Sequence, residues 1–384
     1  MFRKMSLFIL TLLTVYGGMH VYAFLRVRSV LGFGMGPGIA LALFMLLMTT
    51  APVLVRSLER YGFELTARAF AYLAYIWMAA LFLYFCGSLV LDLIGLITRT
   101  AGWATRSDVS ALLIPARTAL LMSLGLSLAI CVYGYFDAQN IRTERVVIET
   151  EKLPAGTNRL TIAQISDVHL GLIIRCDRLV EILEHVKAAH PDIVLSTGDL
   201  VDAQINHLGG LRELLQDIKP RYGKYAITGN HEYFAGIDKA LEFTRQAGFT
   251  MLRNEAKDVG GITIAGVDDR TAVLMHEGKP VADRSVLLPL DRKKFILFLK
   301  HQPLPDPGDA GLFDLMLSGH THRGQIWPFT YVTRMTYPLN AGDYDLGTGS
   351  LLHVSRGTGT WGPPIRFLSP PEVTIIELVR KMPV

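Results

Sequence analysis

Cysteine is scarce, with three residues in 384, at positions 86, 131 and 176. Two of them fall in apolar runs, which leaves no partners for a disulfide framework or a cysteine-zinc site. The opening Met-Phe-Arg-Lys holds no twin-arginine pair, and no small-x-small cleavage pattern follows the first apolar run. That run is therefore expected to stay as a membrane anchor. Asp, Glu, Lys and Arg are missing altogether from four stretches, 6–25, 38–55, 69–91 and 118–136. Each has the length a helix needs to cross a hydrocarbon core, so residues 1–140 are predicted to form about four transmembrane helices. Pro52 stands near the end of the second stretch. Asp92, at one edge of the third, is expected at a membrane interface. So few polar groups within the spans speak against a transporter. GFGMGPG at 32–38 is followed by no lysine and preceded by no strand, and reads as a connection rather than a phosphate loop.

Charge separates the two halves. Residues 1–140 hold ten Lys and Arg against five Asp and Glu, and the remainder holds 28 against 29. The positive balance thus belongs to the membrane half, and the second half has no clustered basic run. No nucleic-acid partner is expected. With four crossings, seven basic residues (Arg3, Lys4, Arg56, Arg60, Arg68, Arg142, Arg145) lie on the side of both termini. Five (Arg26, Arg28, Arg99, Arg106, Arg117) lie on the other. This asymmetry predicts a multi-pass protein with both termini and its second half in the cytoplasm.

From residue 141 short β-rich runs alternate with amphipathic helices. Strands are predicted at 160–166, 192–198, 224–229, 261–267, 294–300, 313–319 and 351–357, with helices at 177–189, 208–218 and 237–247. The pattern predicts an α/β domain over 141–384 with substantial parallel pairing, whose binding groups gather beyond the strand ends. Those ends carry Asp167 and His169, Asp199 and Asp202, Asn230 and His231, Asp268 and Asp269, His301, and finally His320 and His322. Any one of these alone reads as a turn former, and an isolated HxH such as His320-Thr321-His322 is more often a polar turn than a site. DxH, GDxxD, GNHE and GHTH in succession are not explained that way.

On extended backbone, side chains at i and i+2 point to one side, so Asp167/His169 and His320/His322 are each expected to reach one cavity. Gly198, Gly229 and Gly319 allow tight turns there. Carboxylate, imidazole and amide donors without thiolate suit Mn, Fe or Zn. Asp167, His169, Asp199, Asn230, His301, His320 and His322 are too many for one ion and fit two divalent ions sharing one carboxylate. Such a pair clamps phosphoryl oxygens and lowers the pKa of a water that attacks phosphorus.

This motif series resembles the calcineurin-like metallophosphoesterase superfamily. With Gly324-Gln325 and SRGTGTWGPPIR at 355–366, it is similar to the membrane-associated bacterial branch of YkuE/YaeI type. The resemblance covers roughly residues 145–380 and implies a four-layer α/β/β/α sandwich with a dinuclear site. It implies that Asp167, His169, Asp199 and His322 hold one ion, that Asp199 bridges, and that Asn230, His301 and His320 hold the other. His231 would contact the phosphate or protonate the leaving group, with Asp202 orienting it. The implied activity is hydrolysis of a phosphodiester, phosphomonoester or pyrophosphate by metal-bound hydroxide. Bilayer attachment favours a lipid-linked substrate over a small phosphorylated molecule. The alternative is a membrane receptor or scaffold that binds a phosphorylated ligand without turnover.

Smaller expectations concern other side chains. His185 is expected to pair with Glu181, His353 to be packed, and His207 and His276 to lie at the surface. Arg356 and, less so, Arg366 are candidates for a substrate phosphate. The loops 201–212 and 268–293 are expected to shape specificity.

Overall fold

A computed structural model of the chain describes residues 2–202, 209–279 and 281–381, with side chains from residue 14 onward. The chain divides into two compact units, Met1–Phe136 with Gly362–Ile365, and Asp137–Trp361 with Arg366–Val384.

Among the described residues, three helical segments are long and apolar enough to cross a membrane: Met35–Arg60, Glu64–Thr105 and Ser110–Gln139. The first predicted span lies in the helix Phe2–Leu31, but its side chains up to residue 13 fall outside the described ones. Pro52 sits inside Met35–Arg60 without ending it. Glu64–Thr105, at 42 residues, is far longer than its apolar run, because no proline interrupts the chain after Asp92 and the helix runs on to Thr105. Met45, Leu81, Tyr84 and Leu120 pack inward, while Leu43, Leu46, Leu89, Ile97 and Leu126 are exposed. An apolar outer face of this kind suits a hydrocarbon surrounding. Asp92 is held by Arg26 at 2.6 Å and by the hydroxyl of Tyr22, which donates to it at 2.7 Å. This polar pair fastens two apolar helices, each group supplying the partner the other needs.

Among its described residues the second unit holds twelve strands: β1 (Arg142–Thr150), β2 (Arg159–Ile165), β3 (Ile193–Ser196), β4 (Lys224–Ala226), β5 (Phe249–Met251) and β6 (Glu255–Val259). They continue with β7 (Ile262–Gly266), β8 (Ile296–Leu299), β9 (Leu315–Ser318), β10 (Gly342–Asp345), β11 (Leu351–Val354) and β12 (Glu372–Arg380). One sheet runs β1-β12-β2-β3-β4-β5 and the other β10-β11-β9-β8-β7-β6. All seven predicted strands are present. The pairings β2-β3-β4-β5 and β11-β9-β8-β7 are parallel. β12 runs antiparallel to β2 and parallel to the edge strand β1, and antiparallel edge strands, β6 on β7 and β10 on β11, complete the second sheet.

Period-two alternation builds the layers. Leu160 and Ile162 of β2 join Ile376 and Leu378 of β12, Leu297 of β8 and Leu317 of β9 in a core between the sheets. Ala163, Ile165, Val373 and Ile375 face the other way, against Leu179, Ile182, Val186, Leu215 and Leu241 from the helices. The second sheet's outer face packs Ile296, Phe298 and Met316 on Val286 and Leu287. The result is the four-layer α/β/β/α sandwich.

On the β10–β11 ribbon, His353 faces its register partner Asp343, with Nδ1 2.7 Å from Oδ1. Glu372 lies 3.7 Å from the other ring nitrogen. Burial opposes the imidazolium, but these two carboxylates outweigh it and raise the pKa to about 9. A His pKa raised on folding adds stability in full below about pH 6.5, and loses it as pH rises through about 9. Against His353→Gln, the wild type should be more stable by about 2 kcal/mol near pH 6, a value discounted for the exposure of Asp343. Denaturant unfolding at pH 6 and pH 10 should show that gap closing; a constant gap would refute the ion pair.

Candidate metal centre

The loops beyond β2, β3, β4, β8 and β9 meet at one end of the sandwich and are stitched together by backbone bonds. Asp167 N donates to Gly198 O at 3.1 Å, His169 N to Asp199 O at 3.0 Å, and Gly319 N to His301 O at 2.9 Å. The expectation of extended backbone at the DxH and HxH pairs is corrected. β2 ends at Ile165 and β9 at Ser318, and Asp167, His169, Asp199, His320 and His322 all have left-handed φ, between 47° and 71°. Each such residue costs about 1–2 kcal/mol, borne by the surrounding bonds. The side chains converge because the backbone curls around them.

Space is equally tight. A Cβ on Gly229 would stand 2.2 Å from Asp199 Oδ1, and one on Gly319 would stand 2.2 Å from Asp167 Oδ2. Only glycine lets these loops approach so closely.

Two groups of donors result. Asp167, His169 and His322 form one, with His322 Nε2 3.6 Å from Asp167 Oδ1 and 3.1 Å from His169 Nε2. Asp199, His301 and His320 form the other, with Asp199 Oδ2 3.2 Å and His320 Nδ1 3.2 Å from His301 Nε2. Asn230 Oδ1 lies 3.3 Å from the same His301 nitrogen. Asp199 also reaches towards the first group, 3.9 Å from His169 Nε2. His231 joins His169 and Asp199 in a third group, and its Nδ1 is 2.9 Å from Asp202 Oδ1.

The donor set fits divalent cations. His301 Nδ1 lies 2.8 Å from Thr197 O, which can only accept, so Nδ1 carries a proton and Nε2 faces the cluster. Burial opposes charge on this ring, but Asp199 and Asp167 hold its pKa well above the usual imidazole range, and a bound cation would take the place of the Nε2 proton. Burial and neighbouring positive charge lower His169 and His320 to about 3, and burial with Arg366 lowers His322. Neutral imidazole is the ligating form. His231 behaves differently. Burial disfavours its charge, but Asp199 and the bond to Asp202 raise it to about 9.

The supporting roles of four residues escaped the sequence reading. Glu232 is buried and accepts from the backbone N–H groups of Gly229, Asp199, Leu200 and Val201 at 2.7–3.3 Å, clamping two ligand loops. Its signal was a Glu three residues after Gly229, a helix-start pattern. Tyr337 lies 2.8 Å from His320 Nε2 and donates to Gln302, which in turn donates to Asp269. Arg366, expected at most near substrate, is fully buried and lies 2.9 Å from His322 Nδ1. Gln325 donates to Trp361 O and accepts from Trp361 N, both at 2.9 Å.

Other expectations are corrected. Arg356 pairs with Glu144 and Glu372, which occupy it structurally. His185 bonds Thr143 at 2.9 Å, while Glu181 pairs with Arg178 instead. His276 is exposed, as expected, and His207 lies outside the described residues.

A family model for the calcineurin-like phosphoesterases matches residues 160–324. A protein of Aquifex aeolicus described as an uncharacterized metallophosphoesterase is 39% identical over 251 residues, which are 65% of this chain and 96% of that one. The chain is a calcineurin-like metallophosphoesterase. YkuE of Bacillus subtilis, described in the same words, is 31% identical over 64% of this chain and 89% of its own. A zebrafish relative, Danio rerio "Transmembrane protein with metallophosphoesterase domain", is 33% identical over 67% of this chain and 62% of its own. Membership in the metallophosphoesterases implies a metal-dependent hydrolase of phosphoesters, and the family's use of divalent metals accords with the His/Asp clusters.

Proposed function

We propose that the chain is a membrane-anchored phosphoesterase with a dinuclear metal centre in residues 141–384, anchored by four helices within residues 1–140. The reading rests on one observation above all: Asp199 stands between two groups of buried imidazoles. Asp167, His169, Asp199 and His322 would hold one ion, and Asn230, His301 and His320, with Asp199 shared, the other. When bound, two such cations polarise a phosphoryl group and acidify water, which suits Mn, Fe or Zn here. His231, kept protonated by Asp199 and Asp202, donates from its free edge to a phosphoryl oxygen or to the leaving group. Asp202 fixes that ring through Nδ1, and Asp199 accepts from His231 N at 2.8 Å, holding the backbone in place.

The test is turnover by the purified full chain with added Mn. It should hydrolyse an aryl phosphodiester or monoester, lose the activity to a chelator and regain it with Mn. A phosphorylated ligand bound stoichiometrically and recovered unchanged would point to a receptor instead.

We further propose a bacterial inner-membrane location with the catalytic residues in the cytoplasm, from the seven-to-five basic asymmetry. Cys176 is exposed, whereas Cys131 is buried. A membrane-impermeant maleimide should therefore leave Cys176 unlabelled in intact cells and label it after lysis. Labelling in intact cells would reverse the orientation.

A further inference from the structure

The loop that carries His320 and His322 runs on into an apolar surface. Helix Phe329–Thr336 buries none of its residues. Tyr331 is 60% exposed, Val332 52% and Met335 85%. Met335 follows Val332 by three positions and Tyr331 by four, so the three share one face of the helix. A helix face of this composition ordinarily packs into a core. Here it stays at the surface, beside Trp327 and Trp361, which are 41% and 53% exposed.

These side chains sit on a stitched platform. Trp327 N donates to Phe367 O at 3.1 Å, and the Gln325 amide holds the Trp361 backbone by two bonds. The Trp327 and Tyr331 rings lie 6.4 Å apart. The platform also touches the donor cluster at two places. Tyr337, just past the helix, contacts His320, and the Trp361 ring stands edge-on to His231 at 6.0 Å. An apolar rim therefore adjoins the one group positioned to meet a leaving group. Bulky apolar side chains left at the edge of a polar, metal-binding cluster provide a surface for a ligand with one charged end and one apolar end.

We infer that the rim formed by Trp327, Tyr331, Val332, Met335 and Trp361 takes the alkyl chain of an amphiphilic phosphoester whose phosphate lies at the metal centre. This inference rests on the phosphoesterase reading and names its substrate class, a lipid-borne phosphoester. The three helices apolar enough to cross a membrane place the chain where such amphiphiles are concentrated. Each methylene transferred from water to the rim improves binding about fourfold, so a chain half covered outweighs a methyl ester by a large factor.

The experiment compares p-nitrophenyl methyl phosphate with p-nitrophenyl octyl phosphate, using the full chain in nanodiscs with Mn. Wild type should favour the octyl ester at least about 20-fold in kcat/KM. V332D/M335D should reduce that preference below about threefold, with methyl-ester turnover within about twofold of wild type. M335S, at a side chain almost wholly in solvent, should lower the preference in the same direction without disturbing the fold. Equal rates for the two esters in wild type would overturn the inference. So would a preference that persists in both variants, since it would reflect partition into the nanodisc lipid. If wild type cleaves neither ester, the phosphoesterase reading fails. The rim is then judged by calorimetry, where octyl phosphate should bind wild type at least about 20-fold more tightly than methyl phosphate and lose that advantage in V332D/M335D.

Discussion

Asp199→Ala is expected to lower phosphoester turnover by at least about a thousandfold, equivalent to about 4 kcal/mol of transition-state stabilisation. The carboxylate serves three neighbours at once. Oδ2 stands 3.2 Å from His301 Nε2 and 3.9 Å from His169 Nε2, while Oδ1 accepts from His231 N at 2.8 Å. Alanine removes the one carboxylate that, among the described residues, reaches both donor groups, and frees the His231 backbone as well. Metal content should fall from two ions per chain to one or none, measured by elemental analysis of the purified chain. Asp199→Asn keeps the shape and the bond to His231 N while losing the charge. It should retain the fold, seen as an unchanged far-UV spectrum, and still lose metal. Two ions retained with wild-type turnover in either variant would rule out the bridging role.

The second large effect belongs to Arg366. Its guanidinium is wholly buried and donates to the carbonyls of Arg356 at 2.7 Å and of His322, Ser369 and Gly357 at 3.3 Å, and to that of Gly359. Burial lowers its pKa to about 9, yet at neutral pH it keeps its charge. It ties the glycine loop after β11 to the backbone and ring of His322. Arg366→Met keeps much of the volume and strands these acceptors without donors, at a cost of about 3 kcal/mol or more. Urea unfolding measures that loss. Because His322 loses its support, affinity for the ion held by Asp167 and His169 should drop by about 10–100-fold, the range seen when outer partners of metal ligands are removed. A variant that unfolds within 1 kcal/mol of wild type, with unchanged metal affinity, would show that the buried guanidinium supports neither loop nor ring.

Much of the site was legible because the ligand-bearing residues stand directly after strands, and strands announce themselves by short apolar runs. Asp167, Asp199, Asn230, His301 and His320 follow β2, β3, β4, β8 and β9 within a few positions. Parallel sheets gather such ends at one edge, so order along the chain translated into proximity. The way the side chains reach one another was misjudged. Left-handed φ at five of these residues depends on bonds from other loops; Asp and His visit that region more often than most residues, but too rarely for residue type to predict it. Glu232, Tyr337, Gln325 and Arg366 were unreadable for a related reason. Each acts on a ligand loop from a different stretch of chain, and its residue type alone fits a surface role equally well.

The fold shows the same division. Seven of the twelve strands were visible as apolar runs. β1 was not, since its RTERVVIET carries charge throughout and is half exposed. Its place is set by β12, which arrives from 230 positions later with Arg142 opposite Glu372 and inserts between β1 and β2. By itself the sequence determined the apolar helical half, the α/β half and the chemical types of the candidate donors, because hydrophobic period and strand-end composition are local properties. Only the tertiary structure decided which donors share a neighbour, which guanidinium is buried beneath them and which apolar face stays open at their edge. Those outcomes depend on loops closing across long separations, where the bonds between loops hold backbone conformations that no single segment would keep.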